Sequence, residues 1–212
     1  MRLPIFPLPE LTFFPHTLLP LHIFETRYRQ MMTDVLAGGK RLAVGALKPG
    51  WEAHYEGKPE AYPVATVGEV IRWERLASGR YNILLQGIDR VRIEEELPTD
   101  TLYRLVNATV LEDLFPNDPA TLDPLVDTVK RLALKLVAQV RRDDGPLSNA
   151  LSEAKHAGIV ADRVAAALIP EFELRQRLLE TVEVKERLDQ LAEALDRLLS
   201  MLKDKNDQDT AS

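Results

Sequence analysis

The sequence predicts an α+β protein in which a β-rich region precedes a helical one. Residues 1–113 hold eight of the ten glycines, nine of the fourteen prolines and eleven of the thirteen aromatic side chains. Such residues are typical of short strands joined by tight turns. Residues 114–212 are rich in Leu, Ala, Glu, Arg and Lys, which favour helices. We therefore predict a β-rich subdomain over 1–113, a helical bundle over 114–203 and a polar tail over 204–212.

Composition narrows the class of protein further. The chain has no cysteine, which excludes disulfides, thiolate zinc sites, iron–sulfur clusters and cysteine nucleophiles. No apolar run approaches the ~18 residues of a membrane span, and prolines interrupt any N-terminal signal segment. We therefore expect a cytoplasmic protein that does not insert into membranes. The net charge of −6 disfavours nonspecific binding to nucleic acid or anionic lipid.

The first forty residues predict extended structure and then a helix. Five prolines crowd the first twenty residues, and proline lacks the donor that a central strand needs. We therefore expect this stretch to be extended or edge-like and not to lie in the middle of a sheet. Apolar side chains then recur at helical spacing over Leu21–Leu36, and Gly38-Gly39 ends the pattern. The residues of this stripe are Leu21, Phe24, Tyr28, Met31, Met32 and Val35.

The rest of the β-rich region predicts short antiparallel strands with glycine corners, which favour a small barrel-like sheet. Adjacent Val70 and Ile71 interrupt alternation, which indicates a bulge. Ser78-Gly79 predicts the turn of a hairpin. Further along, Arg90 and Arg92 are expected to point outward. The predicted strands are Arg41–Leu47, Pro63–Arg75, Tyr81–Leu85, Arg90–Glu94 and Tyr103–Leu111.

The helical region begins at Asp118-Pro119 or Asp123-Pro124, since each pair places an N-cap residue before a proline at the first helical position. A short helix is expected to end at Gly158, and another spans Val160–Ile169 before Pro170. An apolar stripe marks the first helix, which ends before Gly145-Pro146. Its residues are Leu125, Val129, Leu132, Leu136 and Val140.

From Glu173 the chain is predicted to be one long helix with a seam at 4-3-4-3-4 spacing. Such a seam is typical of a dimer helix or of a helix packed along its own bundle. Three heptads are short for a coiled coil, so we favour packing within the chain and keep a homodimer as the alternative. The seam residues are Val184, Leu188, Leu191, Leu195, Leu198 and Leu202.

Motifs for catalysis are missing from the sequence. Gly39-Lys40 and Gly57-Lys58 lack the upstream glycine and the following Ser or Thr of a phosphate-binding loop. There is no Gly-x-Ser-x-Gly element. His16, His22 and Glu25 have only one helical pairing among them, so we interpret them as structural rather than as metal ligands. We therefore predict a protein that is not an enzyme and that holds no metal or cofactor.

The opening residues resemble a known family. The segments are Leu3-Pro4-Ile5-Phe6-Pro7-Leu8, Phe14-Pro15 and Leu19–Tyr28, and Gly79–Ile83 and Gly87–Ile93 continue the pattern. Over about residues 1–200 the chain resembles the N-terminal substrate-binding domain of Lon protease. The resemblance implies a PUA-like pseudo-barrel followed by a helical bundle. It also implies recognition of protein substrates, without the ATPase and serine–lysine peptidase of full-length Lon, so we expect a stand-alone form.

The partner that this resemblance implies is an unfolded polypeptide or one specific protein. The loop Lys48–Tyr62 is the candidate site, because long loops are often functional and aromatic side chains bind at low entropic cost. Trp51, Tyr55 and Tyr62 are its aromatic residues. They either bind polypeptide or fold back over the end of the barrel.

The signature Phe24-Glu25-x-Arg27-Tyr28 is interpreted as structural. Phe24 and Tyr28 are expected on one side of a helix, while Glu25 and Arg27 tie that helix to neighbouring backbone or charges. The peptide-binding role is therefore assigned to the loop and not to this motif.

The alternative function is RNA binding, because PUA-like barrels also occur in RNA-binding proteins. Trp73 lies between Arg72 and Arg75, and Tyr81 follows on the next strand, which is a possible stacking patch. Glu74 shares the strand and the whole chain is acidic, so polypeptide binding is the preferred interpretation.

Overall fold

The computed structural model describes residues 1–54, 57–140 and 145–210. The chain divides into two compact units, Met1–Glu112 and Asp113–Ser212. Among the described residues, the first unit contains six strands and one α-helix, and the second is helical, so the predicted α+β class is confirmed. The elements of the first unit are β1 (Arg2–Leu8), β2 (Leu18–Ile23), α1 (Thr26–Ala37), β3 (Arg41–Ala46), β4 (Val64–Arg75), β5 (Tyr81–Leu97) and β6 (Arg104–Leu111).

The strands of the first unit close into a ring. β1 pairs in parallel with β3, which pairs with β4, and β4 pairs with the long β5. The second half of β5 pairs with β6, and β6 returns to β1. β2 lies outside this ring and pairs with the first half of β5. The barrel-like sheet expected from the sequence is therefore present.

β1 is extended, as expected, but it is an inner strand, so the expectation that its prolines would keep it out of the middle of the sheet is wrong. Its first residues pair with β6 and its last residues with β3, so that only Ile5 has a partner on both sides. Pro4 lies opposite Leu105 alone, and Pro7 opposite Gly45 alone. Because the two neighbours are staggered, neither proline has to pair on both edges.

The helix predicted over Leu21–Leu36 begins later than expected. Residues 18–23 form β2, and α1 starts at Thr26. Leu19, Leu21 and Ile23 face the core from β2 by strand alternation, and their spacing also fits a helix. From α1, four buried side chains complete this core: Tyr28, Met31, Met32 and Val35.

β4 and β5 confirm the predicted bulge but differ from the sequence prediction in the length of β5 and in the position of Arg90. The register jumps between Val70 and Arg72, which leaves Ile71 unpaired and confirms the predicted bulge. The two strands predicted over 81–94 are one continuous strand. Arg90 is only 4% exposed, so it does not point to solvent as expected. At Gly87 the backbone of Phe14 crosses so closely that a Cβ atom would overlap its carbonyl oxygen.

The helical unit begins at both predicted points. Asp118 caps a single turn over Pro119–Leu122, and the first long helix follows directly. Its predicted stripe is buried at Val129, Leu132 and Leu136, whereas Val140 is 62% exposed and lies outside that core. The helices of this unit are α2 (Asp123–Val140), α3 (Gly145–Ser152), α4 (Ala157–Leu168), α5 (Phe172–Glu180) and α6 (Val184–Thr210).

Two helix boundaries differ from expectation for a reason in tertiary structure. Gly158 lies inside α4 instead of ending a helix, because Asp113 approaches it too closely for a side chain. The helix expected from Glu173 is broken at residues 181–183, between α5 and α6. There the Leu114 backbone bridges to the chain at Glu183, with its N–H 2.9 Å from the carbonyl oxygen of Val182.

The terminal seam packs within its own unit. Val184, Leu188, Leu191 and Leu195 are fully buried, and α6 contacts α2 and α4. Leu198 and Leu202, nearer the end of the helix, are half-buried. The favoured interpretation of the seam, a helix along its own bundle, therefore accounts for its first four positions.

Candidate polypeptide-binding surface

The loop Lys48–Tyr62 is anchored at its base. The Lys48 N–H donates to the Glu60 carbonyl oxygen at 2.8 Å, and the Tyr62 N–H donates to that of Ala46 at 2.8 Å. The side chains of Lys48 and Glu60 form an ion pair at 3.3 Å. Within the loop, Trp51 begins a single helical turn.

The aromatic side chains of this loop have intermediate exposure. Trp51 and Tyr62 are half-buried, and both take part in further contacts. Tyr55 lies outside the described residues. The role of all three in peptide binding stays a prediction.

The signature motif connects α1 to the core. The Arg27 Nη2 atom lies 2.9 Å from Glu25 Oε2, and its guanidinium sits 4.7 Å from the centre of the Tyr28 ring. Tyr28 is buried with its ring centre 4.4 Å from that of Phe6. Phe24 precedes the helix and is 58% exposed, so it does not share a buried side with Tyr28 as expected.

A cleft of about 680 Å³, with Glu25, Arg27 and Arg104 in its lining, lies beside this motif. Burial acts to raise the pKa of Glu96 nearby, but hydrogen bonds and ion pairs with Lys58 and Arg104 outweigh it and hold that pKa below its usual value. Burial and a 2.8 Å hydrogen bond to Asp34 raise the pKa of Tyr103 to about 12. The charged groups around the cleft therefore pair with one another.

Large apolar side chains are exposed on the first unit at several places. Loss of water contact with such groups drives binding, at about 25 cal/mol for each Å² of apolar surface buried. The sequence placed only one of them, Trp73, in a possible binding patch, and that patch was for RNA. The exposed side chains are Met1 (49%), Leu18 (59%), Phe24 (58%), Ile71 (45%), Trp73 (44%) and Leu102 (61%).

The stacking patch expected around Trp73 is smaller than its sequence indicated. The Lys40 ammonium lies 4.5 Å from the centre of the Trp73 ring, and Arg75 lies 5.8 Å from that of Tyr81. Tyr81 is only 4% exposed. Trp73 therefore remains as the exposed ring of this group, and a lysine covers part of it.

His22, interpreted from the sequence as structural rather than as a metal ligand, makes a polar contact. The His22 Nδ1 atom lies 2.7 Å from the Asn82 side-chain oxygen. Over 1–54, 57–140 and 145–210, no group of three His, Asp or Glu side chains is placed to hold a metal ion. Within the same residues, every helix is too short or too polar to cross a bilayer.

A strand ring followed by a helical unit defines this chain as an α+β protein of the β-then-α type. The ATP-dependent protease La (LON) substrate-binding domain matches residues 2–197. The chain therefore belongs to this family, as its opening residues predicted.

Relatives and solved structures agree with that assignment. The chain is 27% identical over 209 residues to a Lon protease of Anaeromyxobacter dehalogenans and 26% identical to Lon protease 2 of Myxococcus xanthus. These matches cover 99% of the chain but only 25% of each relative, so the chain spans about a quarter of their length.

Two solved structures share the fold. The N-terminal domain of a Mycobacterium avium complex Lon protease aligns with a TM-score of 0.74 at 17% identity, covering 92% of this chain and 98% of that one. A Lon N-terminal domain protein from Xanthomonas campestris aligns with a TM-score of 0.66 at 21% identity, covering 90% and 96%.

Proposed function

We propose that this chain is a non-catalytic module that binds polypeptides, either unfolded segments or a protein partner. The observation that carries the proposal is the set of large apolar side chains exposed on the first unit of a domain whose family is described as substrate-binding. Apolar side chains that become accessible in unfolded proteins are the natural ligands of such a surface.

The loop Lys48–Tyr62 is the first surface to test. Backbone hydrogen bonds fix the base of this loop. The loop therefore loses less conformational entropy when it binds a ligand. Half-buried Trp51 and Tyr62 keep part of their rings available for contact.

The test is a titration of a labelled, permanently unfolded polypeptide with this protein, followed by fluorescence anisotropy. We expect saturable binding that the double variant Trp51→Ala/Tyr55→Ala weakens. The matched control is Leu114→Ala, which removes an exposed apolar side chain from the helical unit. Binding that both variants leave unchanged would move the site away from the loop, and absence of binding would contradict the proposed function.

RNA binding is the second candidate, because Lys40 lies over the exposed Trp73 ring, and Arg72 and Arg75 are exposed on the strand that carries this ring. Binding to RNA would release counterions from neutralised phosphates, so affinity would fall steeply with salt. A flat salt dependence would exclude this candidate.

A homodimer through α6 also stays a proposal. Its interface would have to use the end of the helix, where Leu198 and Leu202 are half-buried and Met201 is 56% exposed. Sedimentation equilibrium of the wild type and Met201→Glu would test it.

A further inference from the structure

We propose that the free edge of β4 over Ile71–Arg75 binds an extended polypeptide segment by strand addition, and that it selects segments whose apolar residues are flanked by acidic ones. This proposal rests on the proposed function and names the substrate class that one surface accepts. It adds a site distinct from the loop Lys48–Tyr62.

The edge is open because β3 is shorter than β4. β3 pairs with β4 only as far as Glu69, while β5 continues along the opposite side of β4 to Arg75. Val70 donates its N–H to the Lys40 carbonyl oxygen at 2.8 Å, the last backbone contact on that side. Among the described residues, no strand pairs with this side of 71–75. Such a row of backbone groups is a template for another strand.

The side chains on this edge are unusual for an exposed strand. Proteins protect open edges with charges or with bulges that turn the edge away. β4 has both, yet it also exposes Ile71 at the bulge and Trp73 two residues later. Trp73 lies opposite the buried Ile83, and residues opposite one another share a face, so its ring extends the core-facing side of the hairpin. An added strand could place an apolar side chain against it.

The charged residues around this edge favour a peptide segment with acidic residues. Lys40 lies over the Trp73 ring, and Arg72 and Arg75 are exposed on the strand itself. Among the described residues, neither arginine forms an ion pair, whereas Arg41 is paired with Glu69 at 3.5 Å. A local excess of positive charge on a chain of net charge −6 favours a ligand with carboxylates at its ends.

The length of the edge sets the length of the ligand. Five residues at about 3.3 Å each span roughly 17 Å, so a segment of about seven residues covers the edge and both flanks. The probe is a labelled peptide of that length with apolar residues at alternate positions and glutamates at both ends. Its matched controls are the same peptide with lysines at the ends, and a version whose backbone nitrogens are methylated at alternate residues.

We expect the acidic peptide to bind the wild-type protein, and both control peptides to bind at least about tenfold more weakly. Trp73→Ala should weaken binding by about tenfold, since central aromatic residues carry much of the energy of an interface. Arg72→Glu/Arg75→Glu should also weaken it and flatten its salt dependence. Leu114→Ala removes an exposed apolar side chain of the helical unit and should change nothing.

Each contrary outcome has one meaning. Equal binding of the methylated peptide would overturn strand addition, and equal binding of the lysine peptide would overturn the acidic preference. Binding of the unfolded polypeptide that Trp73→Ala leaves unchanged, with no binding of the peptide, would overturn this site but keep the proposed function. Failure of both ligands would overturn both proposals. Tight binding of an oligouridine RNA that Trp73→Ala abolishes would assign the edge to RNA.

Discussion

Replacing Gly158 by alanine should destabilise the helical unit, although alanine normally favours a helix. The new methyl group would overlap the Oδ2 atom of Asp113 and would lie 3.1 Å from Nη2 of Arg187. These two side chains form a bidentate ion pair, with nitrogen–oxygen distances of 3.0 and 2.7 Å. The substitution therefore forces apart a pair whose arginine side chain is entirely buried.

The magnitude follows from two opposing effects. Breaking a buried ion pair costs about 3–5 kcal/mol when it leaves an uncompensated charge. Here Asp162, whose Oδ1 atom lies 3.5 Å from Nε of Arg187, balances part of that charge and keeps the cost in the lower part of this range. The gain in helix propensity from glycine to alanine is at most about 1 kcal/mol. The free energy of unfolding of this unit should therefore fall by about 2–4 kcal/mol.

The assay is urea unfolding followed by two probes. Both tryptophans, Trp51 and Trp73, lie in the first unit, so their fluorescence reports that unit alone. Far-ultraviolet circular dichroism reports mainly the helices, most of which are in the second unit. We expect Gly158→Ala to shift the dichroism transition to lower urea.

A double-mutant cycle isolates the cause. In an Asp113→Ala background the carboxylate is absent, so Gly158→Ala should cost little or should stabilise the helix. An equal loss in both backgrounds would refute the proposed clash. An increase in stability from Gly158→Ala alone would refute it directly.

Two further predictions concern the first unit. Gly87→Ala should prevent this unit from folding normally, because the new Cβ atom would overlap the carbonyl oxygen of Phe14. Gly39→Ala is the control and should be neutral, because a Cβ atom there would have no neighbour within 4 Å. Unfolding followed by tryptophan fluorescence compares the stability of the two variants. Tyr103 should ionise near pH 12, as its hydrogen bond to Asp34 and its burial favour the protonated form, and a phenolate absorbance titration should lose this late step in Tyr103→Phe. The pKa of Tyr103 in the folded protein is raised above its unfolded value of about 10. The contribution of Tyr103 to the free energy of unfolding is therefore fully present below pH 10 and decreases as the pH rises towards 12.

The elements that sequence predicts well are those determined by local pattern. β3, β4 and β6 contain short apolar runs that are buried along much of their length, and the bulge at Ile71 follows from two adjacent apolar residues. Asp118 and Asp123 mark helix starts because capping depends on only a few neighbouring residues.

The elements that sequence misplaces depend on distant partners. Nothing local indicates that Pro4 pairs with Leu105, or that Gly158 lies within a helix because Asp113 packs on it. The sequence also did not predict the exposed edge at Trp73, because this edge exists only where the pairing of β3 with β4 stops, at Arg41 and Glu69. Sequence pattern identified the aromatic and basic residues there but not the missing neighbour.

The closure of the ring has a consequence for how the protein is made. Leu3 pairs with Val106, and Ala108 donates its N–H to the Met1 carbonyl oxygen at 2.8 Å. One side of β1 therefore stays unpaired until β6 has been synthesised. At about 5–20 residues per second, roughly 3–12 s separate synthesis of β3 from that of β6. During that interval β1 could pair with β3 while its other side stays unoccupied. Until β6 is made, the nascent chain therefore carries an unpaired strand edge, which is a template for pairing with a neighbouring chain.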